Sequence, residues 1–363
     1  MSNFGNKSGD KYGIDSHKLI YHVSRVAKWL ETGDVYPIYM EISPSGACNH
    51  RCTFCGLDFM GYQKRFLDSG ILKERLSEMG QLGVRSIMYG GEGEPLMHVD
   101  ICDIIRHTAD CSIDVAVTSN GVLFKGAIAE AALPVLKWNK VSLCAGARHT
   151  YDRVHRTNPE DFDIVLRNIA YAVVIKQRHG YTSTIGVQML LLPENQEEAV
   201  EFARIVRDTG ADYLVIKPYS QHPMSKTDKY SDINYAGSMA LAESLAEIAT
   251  EDFSVIFRTN AMSRWDDKGR SYCQCLAHPF WSYIDTAGNC WGCSVYLGDE
   301  RFLYGNIYDS SFKEIWTGGL RKKISTWIET GLDVSGCRVN CRMDAINRYL
   351  WALKHQPEHV NFI

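Results

Sequence analysis

Residues 36–55 read YPIYMEISPSGACNHRCTFC. The first eight, YPIYMEIS (36–43), are apolar and aromatic enough to form a strand. The strand ends at a loop carrying Cys48, Cys52 and Cys55 in a C-x3-C-x2-C spacing. Three thiolates are one short of a structural zinc site, which takes four protein ligands. His50 lies inside the loop, but a Cys3His knuckle closed within eight residues is cramped. A [4Fe-4S] cluster held by three cysteines keeps one iron open for another ligand. Placed directly after a strand, that iron faces the end of the sheet.

Outward from this stretch the chain repeats one unit. Helical periodicity covers His17 to Glu31, capped by Asp15 or Ser16 and stopped by Gly33. Helices are then expected at Ile71–Leu82, Ile101–Thr108, Gly126–Leu136, Phe162–Gln177 and Ala199–Thr209. Strands are expected between them at Val84–Tyr89, Ile113–Thr118, Lys140–Cys144, Thr182–Leu192 and Tyr213–Pro218. Six strands separated by helices predict parallel βα units, a barrel or open sheet with its chemistry at the C-terminal strand ends. A further helix is expected at Ser238–Ile248 and a short strand at Phe280–Ile284, before the turn Asp285-Thr286-Ala287-Gly288.

The chain has 363 residues, 45% of them hydrophobic, with 39 Lys+Arg against 43 Asp+Glu and a net charge of -4. This balance and the absence of a long basic run argue against a nucleic-acid partner. No segment approaches the roughly 18 apolar residues of a membrane span, and the start, MSNFGNKSGDKYG, has no hydrophobic signal stretch. The expectation is a cytoplasmic protein, where structural disulfides are rare. Yet there are 12 cysteines, and nine fall in tight groups: Cys48/52/55, Cys273/275/290/293 and Cys337/341. Such bunching asks for metal or catalysis.

CNHRCTFC (48–55), with Phe54 before its last cysteine, resembles the signature of radical S-adenosylmethionine (SAM) enzymes. The resemblance covers roughly residues 36–230. It implies a partial (βα)6 TIM-like barrel, a SAM-binding [4Fe-4S] cluster on Cys48, Cys52 and Cys55, and a 5'-deoxyadenosyl radical that takes a substrate hydrogen. Gly90-Gly91-Glu92-Gly93-Glu94-Pro95 resembles the family's turn against the SAM amino group, and Thr118-Ser119-Asn120-Gly121 its third-strand end. Gly90, Gly91, Glu92, Ser119, Asn120, Ser142 and Gln188 are thereby implied SAM contacts, and Ile216-Lys217-Pro218 lies at the sixth-strand end.

The later cysteines resemble a SPASM or shortened twitch domain, a small cysteine-rich α+β attachment. Six cysteines here, without the dense run of a full SPASM domain, favour one auxiliary [4Fe-4S] cluster on Cys275, Cys293, Cys337 and Cys341. Cys273 or Cys290 remains open as a replacement ligand. The domains expected are a helical extension (1–35), the barrel (36–235) and the auxiliary domain with a C-terminal helix (236–363). The reading this supports is hydrogen abstraction from a small polar substrate, a sugar, sugar nucleotide or aminocyclitol. Oxidation of an alcohol carbon would follow, with the auxiliary cluster accepting the electron and an external flavodoxin or ferredoxin supplying the reductant. Glu41 and Lys217 are candidate bases, among other polar residues that include Glu94 and Arg258. The alternatives are an epimerase with Cys144 as hydrogen donor facing the barrel mouth, a peptide-maturing enzyme, and, in another class, an iron–sulfur carrier or zinc scaffold. The approximately 35 residues ahead of the first strand are short for a leader-binding module, which counts against the peptide reading.

Overall fold

The computed structural model describes residues 10–267 and 269–362. Ten strands form one sheet: β1 (Tyr39–Ile42), β2 (Ser86–Tyr89), β3 (Asp114–Ser119), β4 (Leu136–Ser142), β5 (Thr184–Leu191), β6 (Tyr213–Pro218), β7 (Ser254–Phe257), β8 (Trp281–Ile284), β9 (Asn289–Trp291) and β10 (Leu303–Asn306). Their order is β10-β9-β8-β1-β2-β3-β4-β5-β6-β7. The strands from β1 to β7 are parallel neighbours, and β8 adds parallel to the free side of β1. Strands β9 and β10 continue antiparallel from β8.

The helices are α1 (Val23–Thr32), α2 (Ser69–Gln81), α3 (Ile101–Asp110), α4 (Ala127–Ala132), α5 (Arg148–His155), α6 (Asp161–His179), α7 (Ala199–Asp208), α8 (Met239–Ala246), α9 (Thr259–Asp267), α10 (Phe312–Thr317), α11 (Gly319–Thr330) and α12 (Asp344–Lys354). Among the described residues, none is long and apolar enough to cross a membrane.

Local chemistry explains these elements. Asp68 caps α2 by accepting the Ile71 N–H at 2.8 Å, and the helix buries Leu72, Leu76 and Met79. Helix α3 buries Ile101, Ile104 and Ile105 on one face. Ile185, Val187 and Met189 of β5 alternate onto one buried face, and Thr184, Gln188 and Leu190 lie on the other. Each buried apolar side chain contributes roughly 1.5–3 kcal/mol by leaving water. The α1 segment packs with α12 around Trp29, Phe280, Trp281 and Leu350, at the start of β8.

The expected six-strand unit is present, and the sheet is wider than expected. Strand β7, in the short stretch SVIF, has no counterpart in the sequence reading. The strand expected at 280–284 is β8, and it joins the same sheet, so the sheet runs past residue 235. Strand β4 starts at Leu136 and ends at Ser142, where Lys140–Cys144 was expected. Consequently α4 is only six residues long, and Cys144 lies beyond the strand.

Candidate active site

The cysteine loop leaves β1 and is fastened to the end of α5. Arg51 N–H donates to His155 O at 3.1 Å, and Thr53 N–H donates to Val154 O at 2.8 Å. Cys48, Cys52 and Cys55 lie close enough to affect one another's ionisation, and burial raises all three above the usual thiol range, Cys48 to about 11. The Cys52 Sγ is 3.3 Å from His155 Nδ1. His50 is turned to other partners: its Nε2 is 3.1 Å from Tyr151 Oη and 3.7 Å from Asp161. Burial lowers its basicity to about 4. His50 thus commits Nε2 away from the thiols, while its Nδ1 is buried without a partner among the described residues. Among the described residues, no three His, Cys, Asp or Glu side chains are arranged around a single metal ion. A cubane cluster holds its ligand sulfurs farther apart than one ion does, and three neighbouring thiols, of which Cys55 lines an open cavity, fit the former.

The glycine-rich turn after β2 presses on this loop. Gly91 has φ +112°, and a Cβ there would lie 2.2 Å from Tyr283 Oη and 2.9 Å from Ser43 Cβ. A Cβ on Gly93 would meet Ala47 O at 2.3 Å. Both positions thus demand glycine for close backbone approach. Glu94 ties the turn to the end of β3: its carboxylate accepts Ser119 Oγ–H and Asn120 N–H, both at 2.8 Å. Burial raises its pKa to about 7. Asn120 Nδ2 reaches Asn49 Oδ1 of the cysteine loop at 2.6 Å. The Glu92 carboxylate accepts Thr286 N–H and Oγ1–H, both at 2.9 Å, joining β2 to the turn after β8. Of the implied SAM contacts, Gly91, Ser142 and Gln188 line the main cavity. Glu92, Ser119 and Asn120 are engaged in these ties instead.

That cavity has a volume of about 670 Å³ and runs along the inner face of the sheet. Its wall holds Cys55 at one end and Glu41, Lys140, Ser142, Gln188 and Lys217 from the strands. Glu41 is 2.5 Å from Arg342 in an ion pair, and Arg342 also donates to Tyr39 Oη at 2.7 Å. Arg258 pairs with Asp15 at 3.2 Å. Among the described residues, neither Lys140 nor Lys217 has an ion-pair or hydrogen-bond partner. Burial comes first in lowering both ammonium groups, Lys140 to about 8 and Lys217 well below its ordinary value, and cationic neighbours act in the same direction.

Cys144 is fully buried and is not among the residues lining this cavity. Its Sγ accepts the Leu190 N–H at 3.3 Å, its N–H donates to His155 Nε2 at 3.0 Å, and its carbonyl accepts Asn195 Nδ2–H at 2.8 Å. The chain leaves the strand at Ser142, and the Cys144 thiol stays within reach of the Ser142 side chain. With β4 starting at Leu136, Trp138, Lys140 and Ser142 alternate onto the cavity side.

Cys275, Cys293, Cys337 and Cys341 line one small cavity, together with Tyr296, Phe302 and Ile328. Each of Cys275, Cys293 and Cys341 responds to charge on others of the set, and burial raises all three. Tyr296 Oη lies 3.5 Å from Cys337 Sγ, and Asn347 Nδ2 lies 3.7 Å from Cys275 Sγ. Cys273 is exposed, while Cys290 is buried with its Sγ 3.3 Å from Ser282 Oγ. Cys293 and Cys341 also line the main cavity, so one wall is common to both.

This architecture, a parallel sheet with a three-cysteine loop after its first strand, resembles the partial barrel of radical SAM proteins. Residues 42–206 match the family model of the radical SAM superfamily. It is 28% identical over 225 residues to the GTP 3',8-cyclase of Chlorobaculum tepidum, a match covering 59% of this chain and 62% of the cyclase. It is 22% identical over 304 residues to the tungsten-containing aldehyde ferredoxin oxidoreductase cofactor-modifying protein of Pyrococcus furiosus, covering 77% of this chain and 80% of that protein. The crystal structure of Streptococcus suis SuiB bound to S-adenosylmethionine shares the fold, with a TM-score of 0.65 at 17% identity, over 88% of this chain and 75% of SuiB.

Proposed function

We propose that this chain is a radical SAM oxidoreductase that oxidises an alcohol carbon of a small polar substrate bearing an anionic group, a sugar nucleotide or sugar phosphate. One observation carries the reading: both thiol sets border the cavity that holds Lys140 and Lys217. Cys48, Cys52 and Cys55 would hold the SAM-binding cluster, and Cys275, Cys293, Cys337 and Cys341 an auxiliary [4Fe-4S] cluster. When bound, these groups would supply a hydrogen-abstracting 5'-deoxyadenosyl radical and an electron acceptor at that cavity.

The chain's own residues do the rest. Lys140 offers an ammonium with no carboxylate of its own, suited to a phosphate oxygen. The name of the cyclase relative points the same way, because GTP is a polyanion. Arg342 is already paired with Glu41, and Arg338 donates to Ser220. Lys217 Nζ, kept short of protons by burial and surrounding cations, accepts the substrate hydroxyl proton as the carbonyl forms. Glu41 is bound to Arg342, which suits it to holding the cavity wall. With both groups bound, the two-electron oxidation would balance as one hydrogen atom taken by the SAM-derived radical, one proton held by Lys217 and one electron taken up by the auxiliary cluster. The position of Cys144 outside the cavity lining favours oxidation over epimerisation.

The test is anaerobic turnover with dithionite and SAM against nucleotide sugars, sugar phosphates, GTP and aminocyclitols. The expected result is 5'-deoxyadenosine formed in step with a phosphorylated product two hydrogens lighter. Turnover confined to the aminocyclitols, or a product isomeric with its substrate, would overturn the assignment.

A further inference from the structure

We propose that His155 is a positioning residue that donates an Nδ1–H···Sγ hydrogen bond to Cys52 and so raises the electron affinity of a cluster held by Cys48, Cys52 and Cys55. The inference rests on the reading of that loop as the SAM-cluster site. It concerns a residue that no cysteine spacing points to.

His155 closes α5 and is 1% exposed. Both its ring nitrogens are committed. Nε2 lies 3.0 Å from the Cys144 backbone nitrogen. A backbone N–H can only donate, so Nε2 must be the acceptor and carry no proton. In a neutral imidazole the single proton then sits on Nδ1. That nitrogen lies 3.3 Å from Cys52 Sγ, so the ring donates and the sulfur accepts. A doubly protonated ring would set two N–H groups against each other at Cys144, and the surrounding burial also disfavours it.

The ring has no freedom to turn away. Tyr151 packs over it at 4.4 Å between centroids, and Phe54 of the cysteine loop meets it edge-on at 5.2 Å. Its own carbonyl accepts the Arg51 N–H at 3.1 Å. The loop is thus gripped at its backbone and at one sulfur by a single residue. A donor to a ligand sulfur stabilises the more negative, reduced cluster, and hydrogen bonds to sulfur are among the levers that set such potentials. Cys144 acquires a role from this arrangement through its backbone: its N–H fixes the tautomer that the Cys52 contact needs.

The experiment compares wild type, His155→Phe and His155→Asn, all reconstituted anaerobically as the full chain. Redox titration is followed on the electron paramagnetic resonance signal that changes on SAM addition. At the potential where half the wild-type cluster is reduced, the expected oxidised-to-reduced ratio in His155→Phe is at least threefold higher. A threefold change is about 30 mV for one electron. His155→Asn, which retains an amide donor, is expected to recover part of the shift. An unchanged potential in His155→Phe with normal iron content overturns the proposal. If His155→Phe fails to fold, ring nitrogen shifts of 15N-histidine-labelled, cluster-free wild type decide, with His155→Asn assigning the peak. A proton on Nδ1 is expected, and a proton on Nε2 refutes it. Failure of any cluster to form on Cys48, Cys52 and Cys55 would instead remove the reading beneath the proposal while leaving that tautomer intact.

Discussion

Replacing Gly91 with alanine tests the turn that brings β2 against the cysteine loop. Two costs follow from its geometry. The backbone sits at φ +112°, a region that a side chain tolerates at roughly 1–3 kcal/mol. The new methyl would also fall 2.2 Å from Tyr283 Oη and 2.9 Å from Ser43 Cβ, and forced overpacking of this kind typically costs about 1–3 kcal/mol. The sum is roughly 2–6 kcal/mol, a large share of the roughly 5–15 kcal/mol that holds a domain folded. Urea unfolding of the cluster-free chain measures it. The second arm is Tyr283→Phe, which removes the atom the methyl meets first. It costs little alone, because Ser43 Oγ beside it already serves Glu92 N–H and Ser45 O. In the double variant about 1–2 kcal/mol of the Gly91→Ala loss should return, read as a double-mutant cycle. The backbone cost and the Ser43 contact remain. SAM affinity should fall with Gly91→Ala, since Gly91 lines the cavity. A Gly91→Ala protein within about 0.5 kcal/mol of wild type, or a Tyr283→Phe change that returns nothing, would refute the steric account.

Three further outcomes are expected. Glu94 has its pKa raised from 4.5 to about 7 in the fold, so its contribution is full below pH 4.5 and is lost as pH rises through about 7; Glu94→Gln should flatten that decline in unfolding free energy. Arg342→Met strands the Glu41 carboxylate and should cost about 2–4 kcal/mol, the lower side for a broken buried pair because Arg342 is 43% exposed, with Glu41→Gln in the same chain restoring most of it. Lys140, lowered to about 8, should lose its proton as pH climbs past that value, so KM for an anionic substrate rises above about pH 8, and Lys140→Met should raise KM at pH 7 and abolish that rise.

The cysteine loop and most of the parallel sheet were legible in the sequence because both are local signals. C-x3-C-x2-C carries its chemistry in its spacing, and apolar runs between capped helices mark βα units. The four later thiols were legible as a set for the same reason, and the chain brings Cys275, Cys293, Cys337 and Cys341 to one cavity. What escaped was set by tertiary pairing. Strand β7 is a four-residue stretch whose only support is β6, and β8 finds β1 across more than 200 residues of chain. Strand β4 ends at Ser142, two residues before the expected Cys144, and Cys144 is outside the cavity lining. His155 reads as the end of an amphipathic helix, and only the fold sets its ring against Cys52. Glu92, chosen as a cofactor contact, is drawn off by Thr286, a partner 194 positions away in the sequence.

The central claim is that two separate thiol sets hold clusters at one cavity. Iron content after anaerobic reconstitution tests it most directly. The account predicts about eight iron atoms per chain, from two four-iron clusters, falling to about four in the Cys275→Ala/Cys337→Ala variant while dithionite-driven SAM cleavage persists. About four iron atoms in wild type, unchanged by that variant, would contradict it.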